Sequence, residues 1–257
     1  MKEFTKLLEI VNKLREPEKG CPWDLKQTPE SLVPNFIEEL YEVIEAIELD
    51  DYQGLKEELG DLILHIVMQV RMAEEKKQFY MNEVLDYINQ KLIRRHPHIF
   101  GKSKISDSKA VKDNWEKIKM KEKKHRKSVL EGIPHSMPAL IVAERMQEKA
   151  AAVGFDWEDH ESVFAKIKEE IAEFEEEYQN KDKTEMTSEL GDMIFAIVNL
   201  ARKLNIDAES ALRMTIRKFE NRFKYIEEYH KENKEDINKS SLEKLDEIWE
   251  NSKKFHK

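Results

Sequence analysis

The sequence predicts an all-α fold made of two tandem, related helical domains, and three observations carry that expectation. Only seven glycines and seven prolines punctuate 257 residues, so little interrupts regular structure. Apolar residues recur at intervals of three and four, the helical period, and no segment alternates as a strand would. Sliding the chain against itself by 131 residues superposes Glu38, Glu39, Glu42, Glu58 and Asp61 on Glu169, Glu170, Glu173, Glu189 and Asp192. The pattern EExxE, fifteen residues, ExxD therefore occurs twice. So long a period means a duplicated domain and not a solenoid.

In chain order, the periodicity predicts helices over about 3–15, 30–49, 52–77, 81–95, 108–127, 138–151, 161–179, 184–203, 207–230 and 241–254. GCPWD, which holds the single cysteine Cys21, reads as a turn. Thr28 followed by Pro29 is an N-cap signal, and Ser240 with Glu243 fits a capping box. Pro97 in RRHPHIF ends a helix, because proline lacks an N–H and disfavours helical geometry in the residue before it. His96 and His98 thus mark a helix end and a turn and receive no catalytic role. Between Gly101 and Lys127 lie eleven basic residues against four acidic ones, which marks a domain boundary. The expected organisation is a first domain over 1–105, a basic linker or helix over 106–133 and a second domain over 134–257. The linker reads as a solvated connecting helix, with a nucleic-acid arm as the alternative.

Composition narrows the function classes. A chain 40% hydrophobic and 38% charged can bury a sizeable core. Its formal charge of −9 repels nucleic acid and anionic membranes. No signal-peptide layout and no apolar run of roughly 18 residues is visible, so a cytoplasmic protein is expected. One cysteine excludes an intramolecular disulfide framework and a multi-cysteine zinc site.

The doubled carboxylates carry the chemistry. On the helix expected over 161–179, Phe164, Ile167, Ile171, Phe174 and Tyr178 form an apolar stripe bordered by Glu170 and Glu173, while Glu169 points nearly opposite. Glu189 and Asp192 stand where the next helix becomes apolar around nearly its whole circumference, from Met193 to Val198, as a helix buried within a bundle would. Carboxylates crowded at such an edge repel one another and lose hydration at several kcal/mol per unpaired charge, so a cation is needed among them. Hard oxygen donors without histidine or cysteine suit Mg²⁺ or Mn²⁺, and Mg²⁺ also commonly binds substrate phosphates. A competing di-iron bundle would use Glu-x-x-His pairs, and the sequence contains Glu122 with His125 and Glu227 with His230, both in strongly polar stretches.

At these residues the sequence resembles the MazG family of nucleoside triphosphate pyrophosphohydrolases, in its two-domain form. In the first half the resemblance rests on GCPWDLKQT, the EExxE/ExxD set and KLIRRHPHIF; in the second, on KIKEEIAEF, ELGD, RKFENRF and Trp249. The carboxylate motif alone is shared with a wider all-α pyrophosphatase superfamily. The resemblance implies helical bundles formed on homodimerisation, a Mg²⁺-dependent reaction with Mn²⁺ as a substitute, and hydrolysis of a nucleoside triphosphate to the monophosphate and diphosphate. It implies metal ligation by Glu170, Glu173, Glu189 and Asp192, and in the first domain by Glu39, Glu42, Glu58 and Asp61. It assigns a phosphate contact to Lys166, nucleotide binding to Lys218, Phe219, Glu220, Asn221 and Arg222, and a base contact to Trp249. Glu169 would orient water or support its neighbours.

The copies differ where function is concerned. Asn35 stands at the position of Lys166; a further echo at a slightly different offset pairs Lys91 and Arg95 with Lys218 and Arg222, which sets Asn221 at the position of Arg94, and another pairs Trp115 with Trp249. The first domain keeps the acids and lacks the phosphate cation, so most activity is expected from the second. The first would then be a weak site, a site for another nucleotide, or a dimerisation scaffold. A different class of protein remains open for the whole chain: a non-catalytic nucleotide- or metal-sensing dimeric scaffold.

Overall fold

The computed structural model describes residues 2–101, 107, 111, 114–115, 118, 122 and 128–255. The chain divides into two compact units, Met1–Ile118 and Lys119–Lys257. The first holds α1 (Lys2–Leu14), α2 (Pro22–Lys26), α3 (Val33–Glu48), α4 (Tyr52–Glu75), α5 (Met81–Arg95) and the single turn α6 (Pro97–Phe100). The second holds α7 (Ala139–Ala151), α8 (His160–Asn180), α9 (Lys183–Lys203), α10 (Ala208–Asn233), a 3₁₀ turn (Ile237–Lys239) and α11 (Leu242–Ser252). Among the described residues there is no strand, and no helix is long and apolar enough to cross a membrane. The helix expected over 108–127 and most of the expected linker lie outside the described residues.

In each unit a pair of long helices forms a hairpin, α3 with α4 and α8 with α9. The link between them is duplicated residue for residue. Asp50 and Lys181 end the first helix in left-handed backbone, with φ of 54° and 58°. Asp51 and Asp182 then cap the second helix: the Asp51 carboxylate accepts the N–H groups of Gln53 and Gly54, both at 3.0 Å, and Asp182 accepts those of Thr184 and Glu185. An aspartate cap satisfies backbone donors that the first helical turn leaves unpaired and suits the positive end of the helix dipole. It also sets the register, since Glu58 and Glu189 each follow their cap by seven residues, about two turns.

In the first unit, Val11, Leu32, Val67, Met68, Val70, Met72 and Met81 make the buried core, with Phe4, Leu7 and Leu8 of α1 packed against it. GCPWD returns on α1 as a turn, and the Cys21 N–H donates to the Leu14 carbonyl at 2.8 Å. A Cβ at Gly20 would lie 2.3 Å from that same carbonyl, so only glycine allows the approach. Beyond the turn the sequence does more than expected, forming α2 with Pro22 at its start, where a missing N–H costs nothing. Arg15 ties these parts together. Buried to 5% exposure, it pairs with both carboxylate oxygens of Glu75 on α4, at 2.9 Å each, and donates to the carbonyls of Asp24 and Gln27. In the second unit the Gln147 amide donates to the Phe195 carbonyl at 2.8 Å, fastening α7 to α9, and α11 lies along α10.

Two starts differ from expectation. Thr28 caps a turn and not α3: its hydroxyl accepts the Ser31 N–H at 3.1 Å, and the helix begins at Val33 with Pro34 in its first turn. Ser241, not Ser240, caps α11, its hydroxyl accepting the Lys244 N–H at 3.3 Å. Ser240 is engaged elsewhere, at 2.7 Å from Nε2 of the buried His230.

Replacing Arg15 by alanine should destabilise the protein by about 3 kcal/mol, as expected when one partner of a largely buried ion pair is lost. Arg15 holds the Glu75 carboxyl below its ordinary value of 4.5. A depressed carboxyl contributes stability above that value and loses it as pH falls through the folded-state pKa. The gap between wild-type and Arg15→Ala unfolding midpoints should therefore be full near pH 7 and narrow below about pH 4, as followed by urea unfolding at several pH values.

Candidate functional site

Each hairpin carries a glutamate on its inward line. In α3 and its N-cap that line is Leu32, Phe36, Glu39, Val43 and Ala46; in α8 it is Val163, Ile167, Glu170 and Phe174. Glu170 is buried to 5% exposure, so a carboxylate occupies a core position. The second helix brings more acids toward it. In the second unit, one oxygen each from Glu170, Glu173 and Glu189 lie within 4.8 Å of one another; in the first, the same holds for Glu39, Glu58 and Asp61. Asp192 and Glu42, expected as fourth members, are exposed and stand outside these clusters, although both act on them electrostatically.

The repulsion within each cluster is visible in its titration. Desolvation raises the Glu189 carboxyl above its ordinary range, and the neighbouring Glu173, Asp192 and Glu170 raise it further. Desolvation likewise raises Glu173, against the opposing pull of Lys166. In the first unit Glu39 is pushed up to about 6, by desolvation first and then by Asp61, Glu42 and Glu58, and Glu58 is raised for similar reasons. Oxygen donors of one sign, gathered from two rigid helices and short of positive charge, fit a hard divalent cation.

The second unit supplies part of that charge itself. The Lys166 ammonium lies 2.7 Å from the Glu170 carboxylate and 2.9 Å from that of Glu169, and these two hydrogen-bonded acids raise its pKa well above the ordinary lysine value. Glu169 is exposed, as its position opposite the stripe implied, yet reaches the site through this lysine.

A second group gathers on α10 and α11. The Phe219 ring centroid lies 5.1 Å from Trp249 and 6.1 Å from Phe223, and the Arg222 guanidinium lies 5.6 Å from the Trp249 ring centroid. Phe219, Arg222 and Trp249 are thus brought together as expected of a stacking platform. Lys218, Glu220 and Asn221 are exposed on the same helix without joining that cluster.

Two features of the first unit were missed in the sequence. The Arg95 guanidinium lies 4.8 Å from the Trp115 ring centroid, an arrangement like that of Arg222 and Trp249. The echo of Arg95 in Arg222 and of Trp115 in Trp249, at offsets other than 131, was the available signal. His65 of α4 stands with Nε2 3.9 Å from the Glu39 carboxylate, where the second unit has the buried Ala196. Comparing the copies position by position beyond the acids would have found it. The Glu-x-x-His reading is corrected at Glu227 and His230. Both His230 nitrogens are committed, Nδ1 to the Ile226 carbonyl and Nε2 to Ser240, each at 2.7 Å, which leaves no lone pair facing a metal. His125 lies outside the described residues.

The apolar run after Asp192 also differs from expectation. Ala196 and Val198 are buried, whereas Ile194, Phe195 and Ile197 are half-exposed. The stripe Phe164, Ile171 and Tyr178 is open as well, because the inward line of α8 runs one residue earlier, through Val163. Half of each hairpin's apolar surface is left uncovered within the chain.

The family model of the MazG nucleotide pyrophosphohydrolase domain matches twice, over residues 27–100 and 158–227. A Thermotoga maritima protein named nucleoside triphosphate pyrophosphohydrolase/pyrophosphatase MazG is 48% identical over 251 residues, 97% of this chain and 95% of that protein. The Escherichia coli nucleoside triphosphate pyrophosphohydrolase is 40% identical over 258 residues, 99% of this chain and 98% of that one. A crystal structure of a mazG-related protein from Thermotoga maritima aligns at 30% identity over 45% of this chain and 97% of its own, with a TM-score of 0.39. With two matching domains and near full-length relatives, this chain belongs to the MazG family.

Proposed function

We propose that this chain is a Mg²⁺-dependent nucleoside triphosphate pyrophosphohydrolase, converting an NTP or dNTP and water to the monophosphate and diphosphate, with most activity in its C-terminal domain. The observation that carries the reading is the Glu170, Glu173 and Glu189 cluster with Lys166 at its edge. The names of the full-length relatives support the reaction class. Glu170, Glu173 and Glu189, with Asp192 beside them, would hold Mg²⁺ or Mn²⁺, which when bound offsets phosphate charge and polarises the anhydride. Lys166, held by Glu169 and Glu170, supplies a fixed cation for phosphate oxygens. Trp249, Phe219 and Arg222 offer the base a stacking face. Water adds to the α-phosphorus, the α–β bridging bond breaks, and diphosphate departs with the bridging oxygen. With an acidic chain and no membrane-crossing helix among the described residues, the setting is the cytoplasm, with no nucleic acid as partner.

A homodimer completes this reading. Val33, Leu40, Leu59, Ile63 and Ile66, and their counterparts Phe164, Ile171, Leu190, Ile194 and Ile197, are 39–50% exposed in the single chain. Apolar residues recur at equivalent half-exposed positions of both hairpins, and an exposed apolar face of this kind marks an interface. A second hairpin laid on it makes a four-helix bundle.

Incubation with each NTP and Mg²⁺, with products resolved by anion exchange, should yield the monophosphate and diphosphate. Release of orthophosphate would overturn the cleavage site, and nucleotide binding without turnover would support the sensing scaffold instead. Glu189→Gln or Asp192→Asn should lower the rate by at least about 10², the order lost when a transition-state stabiliser is removed. The matching changes at Glu58 and Asp61 should cost less; equal losses would overturn the ranking of the domains. Light scattering should give twice the 30.5 kDa chain mass. Ile63→Glu combined with Ile194→Glu should shift it to the monomer, and a monomeric wild type would overturn the dimer.

A further inference from the structure

The two hairpins satisfy their inward glutamate differently. In the C-terminal copy the partner is Lys166, four residues before Glu170 on the same helix, with its ammonium 2.7 Å away. The equivalent position in the N-terminal copy is Asn35, so that cation is missing. The position facing the glutamate from the other helix has changed too. Ala196 of α9 has no polar atom to offer, whereas its counterpart on α4 is His65, with Nε2 3.9 Å from the Glu39 carboxylate. The imidazole is 12% exposed, its Nδ1 is buried and without a hydrogen-bond partner, and the Phe36 ring packs against it at a centroid distance of 5.9 Å. A histidine whose Nδ1 is buried without a hydrogen-bond partner and whose Nε2 is turned toward a carboxylate is poorly explained as packing. Unpaired burial of a polar atom costs free energy that alanine at the same place avoids.

We propose that His65 is the positioning residue of the N-terminal carboxylate site, its Nε2 facing Glu39 at 3.9 Å and taking across the hairpin the place that Lys166 has beside Glu170 along one helix. The exchange is compensatory: lysine with alanine in one copy, asparagine with histidine in the other. The N-terminal cluster is then a maintained cation site in its own right, not a remnant kept for dimerisation. Arg95 over Trp115 is in keeping with this, because the unit also retains the counterpart of the Arg222–Trp249 pair. Substituting a neutral donor for an ammonium also changes the site's charge. It leaves the N-terminal cluster with more unbalanced negative charge for a divalent cation and no fixed ammonium for a phosphate. Its preferred occupant is therefore the cation, with nucleotide following only as a metal complex.

The proposal rests on the reading that Glu39, Glu58 and Asp61 hold a divalent cation, and the test separates the two. Mn²⁺ binding to the full chain is followed by the EPR signal of free Mn²⁺, with Glu173→Gln and Glu189→Gln disabling the C-terminal cluster. In that background His65→Ala should weaken Mn²⁺ binding about tenfold, the lower end of what loss of a group supporting a ligand costs. His65→Gln, which keeps a neutral donor at the same place, should retain most of the affinity. Circular dichroism and Tm, recorded for each variant, verify folding. Unchanged Mn²⁺ affinity in His65→Ala overturns the proposal. So does a loss in folded His65→Gln as large as that in His65→Ala, because the donor would then not matter. Either result leaves the metal reading standing. No Mn²⁺ binding at all in the parent background overturns the metal reading of this cluster and the proposal with it.

Discussion

A carboxylate at a core position of a helix hairpin is the constraint on which the rest of the structure depends. Glu39 and Glu170 stand on the lines that otherwise carry Leu32, Val43 and Ala46, or Val163. A charge so placed costs several kcal/mol unless it is paired, and the folded chain meets that cost only in part, through Lys166 in one copy. What remains is a deficit of positive charge fixed in space by two packed helices. A cation site built this way needs no flexible loop. Its donors arrive from helix faces whose register is set by a left-handed residue followed by an aspartate cap, twice. The caps and the acids form one device, because shifting the second helix by one residue would turn Glu58 or Glu189 about 100° away from the first helix.

The same hairpins are also incomplete in another sense. A helix pair that buries one apolar side and leaves the other half-exposed is poor as a free-standing unit and good as half of a bundle. In the proposed homodimer, site geometry and assembly would therefore be coupled. Val163 and Glu170 share the inner line, while Phe164 and Ile171 share the outer one a single residue along. Covering the outer line with a second hairpin would stiffen the helix that carries the glutamates without touching them. Duplication within the chain would double this coupling and free the two copies to diverge in the polar groups that face the glutamate.

Much of this was legible in the sequence. The repeat, the helical class, the carboxylate pairs and the long helices all follow from periodicity and from a self-comparison, since each is a pattern spread over many residues. Single positions were harder. Ser240 and Ser241 are adjacent and either can cap, and the choice fell to Ser241 because His230 engages Ser240. Thr28 carries a capping signal that the chain spends on a turn before α3. Periodicity likewise finds an apolar stripe without saying what covers it. The run from Met193 to Val198 is apolar all round, and only Ala196 and Val198 turn to this chain's own core. His65 was passed over for another reason. It lies seven residues beyond Glu58 in sequence, and only the packing of α4 on α3 brings it to Glu39.

The two ends of the proposed nucleotide site divide recognition unequally. The phosphate end is made of fixed charges, namely three clustered carboxylates and a lysine held by two acids, whose interactions are directional and strong at close range. The base end is made of faces. Phe219 tilts against Trp249 and Arg222 lies over it, contacts that order the platform without presenting a hydrogen-bond pattern to a base edge. Stacking of this sort is tolerant of base identity. A site that reads a base by paired donors and acceptors rejects the wrong one by factors of about 10⁴, whereas shape and stacking alone separate substrates by only about 10 to 200. If nucleotide binds as proposed, such an arrangement would select for the triphosphate more than for the base. The carboxylate buried at Glu170 would serve that selection, because it places the cation demand where the phosphates must come.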